Sequence, residues 1–137
     1  MAGRRGRRLR DDRGQSLVEF ALASVVFFIT IFGTIEFGLA IYQYNMVADL
    51  AQEGARWAAV HGSTSAAPAT AAQLQTYVQG RSPGFTVTVT ATPANPSAVG
   101  PGGIIAVQVA SSFSPVTSLI PSTTLNLEST ARMTVFR

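Results

Sequence analysis

The most prominent pattern in the chain is a long apolar stretch close to its N-terminus. Sixteen residues, from Phe20 to Ile35, contain no charged side chain, and apolar residues remain frequent as far as Ile41. The uncharged part alone forms about 24 Å of helix, and its extension to Ile41 exceeds the roughly 30 Å hydrocarbon thickness of a bilayer. A secretory signal has a shorter apolar core and a small-residue cleavage site. The pattern therefore predicts a membrane span over about residues 17–41, with Tyr42 and Tyr44 at the interface.

Beyond residue 41 the pattern changes to the period of an amphipathic helix. Apolar residues recur on one broad face and polar residues on the opposite face until His61, and Gly62 and Ser63 end the pattern. Glu53 and Arg56 are spaced so that they can pair. We therefore predict one helix over residues 15–61, whose second half buries a stripe in the protein core. The stripe consists of Met46, Val47, Leu50, Ala51, Gly54, Trp57 and Ala58.

Residues 62–137 show the pattern of a small β-rich head. A linker of small and polar residues over 62–72 comes first, and a short helix is predicted over residues 71–80. Three later segments alternate apolar and polar residues or are rich in β-branched residues, which indicates strands. These segments are Phe85–Ala91, Ile104–Phe113 and Leu125–Val135, with an irregular segment over 114–122 between the last two.

The two patterns together predict the fold class. Three antiparallel strands packed on the amphipathic helix would bury the apolar faces of both. We therefore expect an α+β fold, in which a long N-terminal transmembrane and amphipathic helix packs against a small three-stranded antiparallel sheet. The expected divisions are a basic leader over 1–14, a long helix over 15–61 and an extracytoplasmic head over 62–137.

The charge of the chain is unevenly distributed. Residues 1–14 contain six arginines and two aspartates, a net charge of +4, and the remaining residues sum to −1. Arginines beside a membrane span favour a cytoplasmic N-terminus, which would leave the C-terminus outside a single-pass chain in the cytoplasmic (inner) membrane. The arginine run could also suggest nucleic-acid binding or a twin-arginine export signal. The adjoining apolar span argues against both, and we expect no nucleic-acid partner.

Two carboxylates lie in or next to the apolar span. Acidic residues at such positions are costly and are therefore candidates for function. Glu19 lies near the cytoplasmic edge, where contact with water is an equally good explanation. Glu36 lies 17 residues later, about 25 Å along the helix. For Glu36, a position at the outer interface is slightly favoured over a buried role in an assembly.

The residue types needed for catalysis are scarce. The chain has no cysteine and a single histidine, His61. Because His61 lies at the predicted end of a helix, we expect it to cap the helix or to be exposed to solvent. No nucleophile and base, metal-ligand cluster or phosphate-binding loop can be assembled from the sequence. We therefore expect no enzymatic activity, no cofactor and no metal site. We expect Trp57 to lie in the protein core and not to contact a ligand.

Three motifs occur in a recognisable order between Arg13 and Ala59. They are RGQSLVEFAL, GTIEFGLAIY and QEGARWAA. Together with the basic leader they resemble the TadE-like family, minor pilin-like proteins of the tight-adherence (Flp) type IV pilus systems. The resemblance covers under half of the chain, and residues after His61 match no motif of the family. Many type IV pilins have Phe at the first mature position, where this chain has Gln15.

The resemblance implies a processing step and an assembly residue. A membrane-embedded prepilin peptidase would cleave between Gly14 and Gln15, which makes Glu19 the fifth residue of the mature chain. The family role of that acid is in assembly, where it can neutralise the new α-amino group of a neighbouring subunit; Glu36 is a possible second intramembrane acid. The implied partners are the peptidase, other pilin-like subunits, inner-membrane pilus assembly proteins and the lipid bilayer.

Three functions are compatible with these features. The first is a minor pilin of a tight-adherence pilus, which would belong to a surface filament or assist its assembly. The second is an uncleaved membrane-anchored protein whose head binds an envelope or surface partner. The third is a pseudopilin of a secretion machine. The mass of the mature protein separates the first function from the second.

Overall fold

The computed structural model describes residues 8–117 and 124–136. Its elements are α1 (Arg8–Val60), α2 (Ala71–Gln79), β1 (Thr88–Thr92), a 3-10 turn (Pro96–Ala98), β2 (Ile104–Phe113) and β3 (Leu125–Thr134). The predicted α+β fold, a long apolar N-terminal helix with a three-stranded antiparallel sheet, is confirmed. Part of the segment predicted as irregular, 114–122, lies outside the described residues, as does the start of the leader.

Helix α1 begins earlier than predicted. It starts at Arg8, not at Gln15, and ends at Val60, one residue before the predicted end. Between Arg8 and Gly14, both included, the chain contains good helix formers such as Leu9 and three arginines, and Gly14 is the one glycine in this stretch. The chain divides into two compact units, Met1–Gly38 and Leu39–Arg137. The assignment of residues 1–14, 15–61 and 62–137 to leader, helix and head stays a prediction.

The short helix α2 confirms the helix predicted after the linker. Thr70 is its N-cap, and a capping box forms in which Gln73 Oε1 accepts from Thr70 N at 2.9 Å and Thr70 Oγ1 accepts from Gln73 N at 3.4 Å. These bonds satisfy N–H groups that have no partner within a helix. Leu74 and Val78 on one face of α2 are buried, and Tyr77 packs beside them as a half-buried residue.

The sheet has the strand order β1–β2–β3, and both pairings are antiparallel. The segments predicted for β2 and β3 form strands with nearly the predicted bounds. Strand β1 is shorter than predicted and starts at Thr88 instead of Phe85. Side chains bind the backbone there, since Gln79 Nε2 donates to Phe85 O and Gln75 Nε2 donates to Val87 O.

The core of the second unit lies between α1, α2 and one face of the sheet. On β2, every second side chain is buried, as the alternation of the sequence predicts. Small residues of α1 allow its backbone to come close to the sheet and to α2. A Cβ atom on Gly54 would lie 3.0 Å from Val78 Cγ2 and 3.3 Å from Val107 Cγ1. The buried set includes Val47, Leu50, Ala51, Ala55, Ala58, Leu74, Val78, Val87, Ile105, Val107, Val109 and Val135.

Candidate functional site

The first part of α1 presents an apolar surface. Its large hydrophobic side chains between Leu17 and Tyr44 are between 38 % and 72 % exposed. Soluble proteins rarely expose an apolar surface of this extent, and such a surface indicates contact with lipid or with another protein. Within Gly14–Val60, α1 is long and apolar enough to cross a membrane. The predicted interfacial residues Tyr42 and Tyr44 are both exposed.

Polar side chains within this apolar part of α1 bind the helix backbone. Ser24 Oγ donates to Phe20 O, Thr30 Oγ1 donates to Val26 O, and Thr34 Oγ1 donates to Thr30 O, each at 2.8 Å. Such bonds to the carbonyl four residues earlier satisfy the hydroxyls without water. The three hydroxyls are therefore compatible with a hydrocarbon environment, where an unsatisfied polar group is costly.

The predicted processing residues lie on a regular stretch of α1. Gly14, Gln15 and Glu19 are all exposed, and space around the Gly14 Cα is open. Gln15 and Glu19 are four residues apart, so their side chains lie on the same face of the helix, one turn from each other. A carboxylate at Glu19 is therefore about one helical turn from the backbone nitrogen that cleavage would expose. Nothing in the structure tests that cleavage, which stays a prediction.

The second predicted acid differs from the first in its surroundings. Glu36 is 5 % exposed, although the residues beside it in α1 are exposed. Seventeen residues of helix turn it about 100° around the axis from Glu19. The structure therefore does not bring the two acids to one site. Whether Glu36 serves at the outer interface or within an assembly stays a prediction.

The amphipathic part of α1 is joined to α2 by a group of stacked side chains, here called the Trp57 stack: Glu53, Trp57, His61, Tyr77 and Arg81. The Trp57 ring stacks on His61 at 4.1 Å and on Tyr77 at 4.9 Å between centroids. The Arg81 guanidinium lies 4.5 Å from the centre of the Tyr77 ring and forms an ion pair with Glu53.

The Trp57 stack corrects one expectation and refines two others. Glu53 pairs with Arg81 of the α2–β1 connection, and not with Arg56 of its own helix, because α2 brings Arg81 across the stack. Trp57 packs against the core, as expected, although it is only half-buried. His61 is half-buried, and its Nδ1 lies 2.7 Å from Trp57 O. Sequence spacing along α1 gives no signal for Arg81, since the contact is long-range.

Among the residues that the structure describes, no group of three or more His, Cys, Asp or Glu side chains could hold a metal ion. The acids and the histidine are instead spread along α1 and the sheet. Chemical features therefore concentrate in two regions: the apolar part of α1, which contains the exposed Glu19 and the buried Glu36, and the Trp57 stack.

Comparison with known proteins bears on the first of these regions. Residues 14–56 match the profile of the family described as TadE-like protein. No curated protein and no solved structure matches the chain. The match begins at Gly14, includes Glu19 and Glu36, and ends shortly before Trp57. It therefore confirms the resemblance found in the sequence motifs, and it does not extend to the head.

Proposed function

We propose that this chain is a minor pilin or pseudopilin-like subunit of a tight-adherence pilus assembly system, because its residues 14–56 match the TadE-like family. The TadE-like family is a pilus-associated structural family. The proposed subunit is not an enzyme. It acts by association of α1 with other helices in and above the cytoplasmic membrane, with its N-terminus in the cytoplasm and its head outside.

The match over Gly14 to residue 56 is the observation that carries this proposal, and the surface of α1 supports it physically. The exposed apolar side chains of α1 require lipid, neighbouring pilin-like helices, or both. In lipid, helices associate through close packing and buried polar contacts, because lipid tails offer no hydrophobic gain. Glu19 would supply one such contact in the proposed assembly.

The proposed contact forms after the leader is removed. Cleavage between Gly14 and Gln15 creates an α-amino group and removes the +4 charge of residues 1–14 that holds this end in the cytoplasm. The Glu19 carboxylate of one subunit then pairs with the new amine of a neighbour. An ion pair in a low-dielectric environment is strong, and one charge without the other is expensive. The pair therefore selects the depth at which neighbouring helices associate.

The processing step is tested by the mass of the protein in cells that contain the prepilin peptidase. We expect a product that starts at Gln15. Gly14→Val should retain the leader, whereas Gly6→Val, the same change within the leader but away from the bond, should leave cleavage intact. An intact leader in the unaltered chain would contradict processing and favour the uncleaved membrane-anchored protein.

The assembly step is tested by changing Glu19. We expect Glu19→Ala to reduce pilus assembly at least tenfold while the chain still enters the membrane, since one turn of helix near the interface does not decide insertion. Glu19→Asp keeps the charge and serves as the matched control, with a smaller effect. Normal pili in cells that carry Glu19→Ala would remove the proposed role of this carboxylate.

A further inference from the structure

One face of the amphipathic part of α1, here called the outer face, is turned away from the core of the second unit. All five of its members are exposed, and they follow one another at spacings of three, four, three and four residues. This is the heptad spacing of a helix that packs lengthwise against a second helix. The outer face consists of Tyr42, Asn45, Asp49, Gln52 and Arg56.

The outer face contains one acid and one base, and within residues 8–117 and 124–136 neither has an ion-pair partner. Glu53 is the one acid at pairing distance along the helix from Arg56, and it pairs with Arg81 instead. Asp49 has no base three or four positions away in either direction. Asp49 and Arg56 are seven residues apart, about 10.5 Å along the axis, so they cannot pair within one helix. Each copy therefore presents two unpaired charges of opposite sign on one face.

The separation of these charges decides how a second, parallel α1 can pack on the outer face. Without an axial shift, Asp49 lies opposite Asp49 and Arg56 opposite Arg56, so that like charges meet. A shift of one heptad, about 10.5 Å, keeps the two outer faces in contact and places Asp49 of one copy opposite Arg56 of the other. The same shift places Asn45 opposite Gln52, and each of these amides can both donate and accept a hydrogen bond.

We propose that the outer face of α1 binds the outer face of α1 in a second copy of this chain, parallel and shifted by one heptad. Asp49 of one copy then pairs with Arg56 of the other. The inference rests on the proposed function, because a single membrane orientation of α1 requires neighbouring helices to be parallel. The partner is a second copy because the acid and the base of the outer face stand one heptad apart, which is the shift that such a pair of helices permits.

The fold of the second unit leaves the outer face accessible to a second helix. Val47, Gly54 and Ala58, which are buried in the core, lie about half a turn around the axis of α1 from the outer face. The sheet and α2 therefore do not lie between the two helices of the proposed pair. The contact positions two copies relative to each other above the membrane, in addition to the contact proposed for Glu19.

The axial shift has a consequence for the depth of the two copies. One copy stands about 10.5 Å further from the cytoplasm than the other, as subunits do in an assembly that grows outward from the membrane. Detergent micelles do not hold the two helices at one depth. The full-length chain in detergent is therefore the material for the test.

Introduced cysteines test the shift, because the chain has no cysteine of its own. Packed helices bring facing Cα atoms to within about 4–6 Å, a distance that a disulfide can bridge. Asn45→Cys and Gln52→Cys chains with different affinity tags should, under mild oxidation, cross-link to each other about fivefold more than either does to itself. Tyr44→Cys is the matched control, because Tyr44 is exposed but lies about 100° around the helix from Asn45. It should not cross-link to Gln52→Cys.

Charge exchange tests the same shift without a covalent bond. Asp49→Arg and Arg56→Asp should each weaken association about fivefold in sedimentation measurements, because the pair of opposite charges becomes a pair of like charges. The chain with both changes should associate as the unaltered chain does. Trp57 fluorescence verifies that each variant is folded.

Three results would overturn the proposal: a chain that stays monomeric, Asn45→Cys cross-linked mainly to itself, or association that Asp49→Arg leaves unchanged. Failure of the proposed function has different signs, which are an intact leader or normal pili in cells that carry Glu19→Ala. The cross-links in detergent depend neither on cleavage nor on Glu19, so the two failures are distinguishable.

Discussion

Gly54 lies where α1 packs tightly against α2 and the sheet, and we expect any side chain there to destabilise the fold. A Cβ atom would lie 3.0 Å from Val78 Cγ2, 3.3 Å from Val107 Cγ1 and 3.8 Å from Leu74 Cδ1. The ordinary separation between carbon atoms is about 3.5–4.0 Å. Valine side chains have little freedom to move away, because β-branching restricts them and both are buried.

Two opposing free-energy terms, helix propensity and core packing, set the effect of Gly54→Ala on stability. Replacing glycine by alanine within a helix gains about 1 kcal/mol of helix propensity. Adding a methyl group to a packed core costs about 1–3 kcal/mol. Because two of the three contacts are shorter than van der Waals separation, we expect the packing term to win and Gly54→Ala to lower the free energy of unfolding by about 1 kcal/mol. Gly54→Val adds two more methyl groups, and we expect it to cost about 3 kcal/mol.

Urea unfolding of the full-length chain in detergent, followed by fluorescence, measures these changes. Trp57 is the only tryptophan, lies one helical turn from Gly54 and stacks on Tyr77 of α2, so its emission reports on this contact. Gly38→Ala is the matched control, because a Cβ atom on Gly38 would have no atom within 4 Å. It should not lower the stability of the second unit.

A double-mutant cycle tests the cause of the destabilisation. Val78→Ala alone should cost about 2 kcal/mol, since it removes buried methyl groups. In the double variant Gly54→Ala/Val78→Ala, the new methyl group fills part of the space that Val78 leaves. The double variant should therefore be more stable than the sum of the single changes predicts, by about 1 kcal/mol. Additive changes, or a Gly54→Ala variant more stable than the unaltered chain, would refute the steric argument.

Three further predictions concern the second unit. Gln75→Ala should cost about 1–3 kcal/mol, because it leaves backbone groups of Val87 and Val89 without partners at the β1 edge; hydrogen exchange at the Val89 amide should rise with it. Thr70→Ala removes the N-cap of α2 and should lower stability by about 1 kcal/mol in urea unfolding, whereas Thr70→Ser should retain most of it. Glu53→Gln breaks the partly exposed ion pair with Arg81, and we expect a thermal-unfolding change equivalent to less than about 1 kcal/mol, which added salt should reduce further.

Periodicity in the sequence predicts most of the fold because the elements bury one face each. The alternation of β2 follows directly from burial of every second side chain, and the bounds Ile104–Phe113 agree with the sequence prediction. The apolar stripe of α1 is also largely predicted from its helical period. The predicted stripe lacks Ala55 and Ala59, and both are buried, since alanine occurs on helix surfaces and in cores alike.

Long-range contacts were not predictable from local patterns. The partner of Glu53 lies 28 residues away, and only the placement of α2 brings Arg81 to it. Likewise, the shortening of β1 follows from glutamines of α2 that bind the backbone around Val87. For the candidate site, the motifs identified Gly14, Glu19 and Glu36, and the family match covers all three. The burial of Glu36 depends on how the chain packs around it, and one acidic residue within an apolar stretch does not predict that packing.

The early start of α1 has a mechanical consequence for the proposed processing. With α1 beginning at Arg8, the bond between Gly14 and Gln15 lies inside a helix, where backbone groups are engaged in intrahelical hydrogen bonds. A peptidase that binds its substrate in an extended form would first have to unwind α1 around Gly14 and Gln15. Glycine is about 1 kcal/mol less favourable than alanine in a helix, so Gly14 lowers the work of unwinding at the bond to be cut. Gly14, directly before the bond to be cut, would then be a position at which this part of α1 unwinds readily.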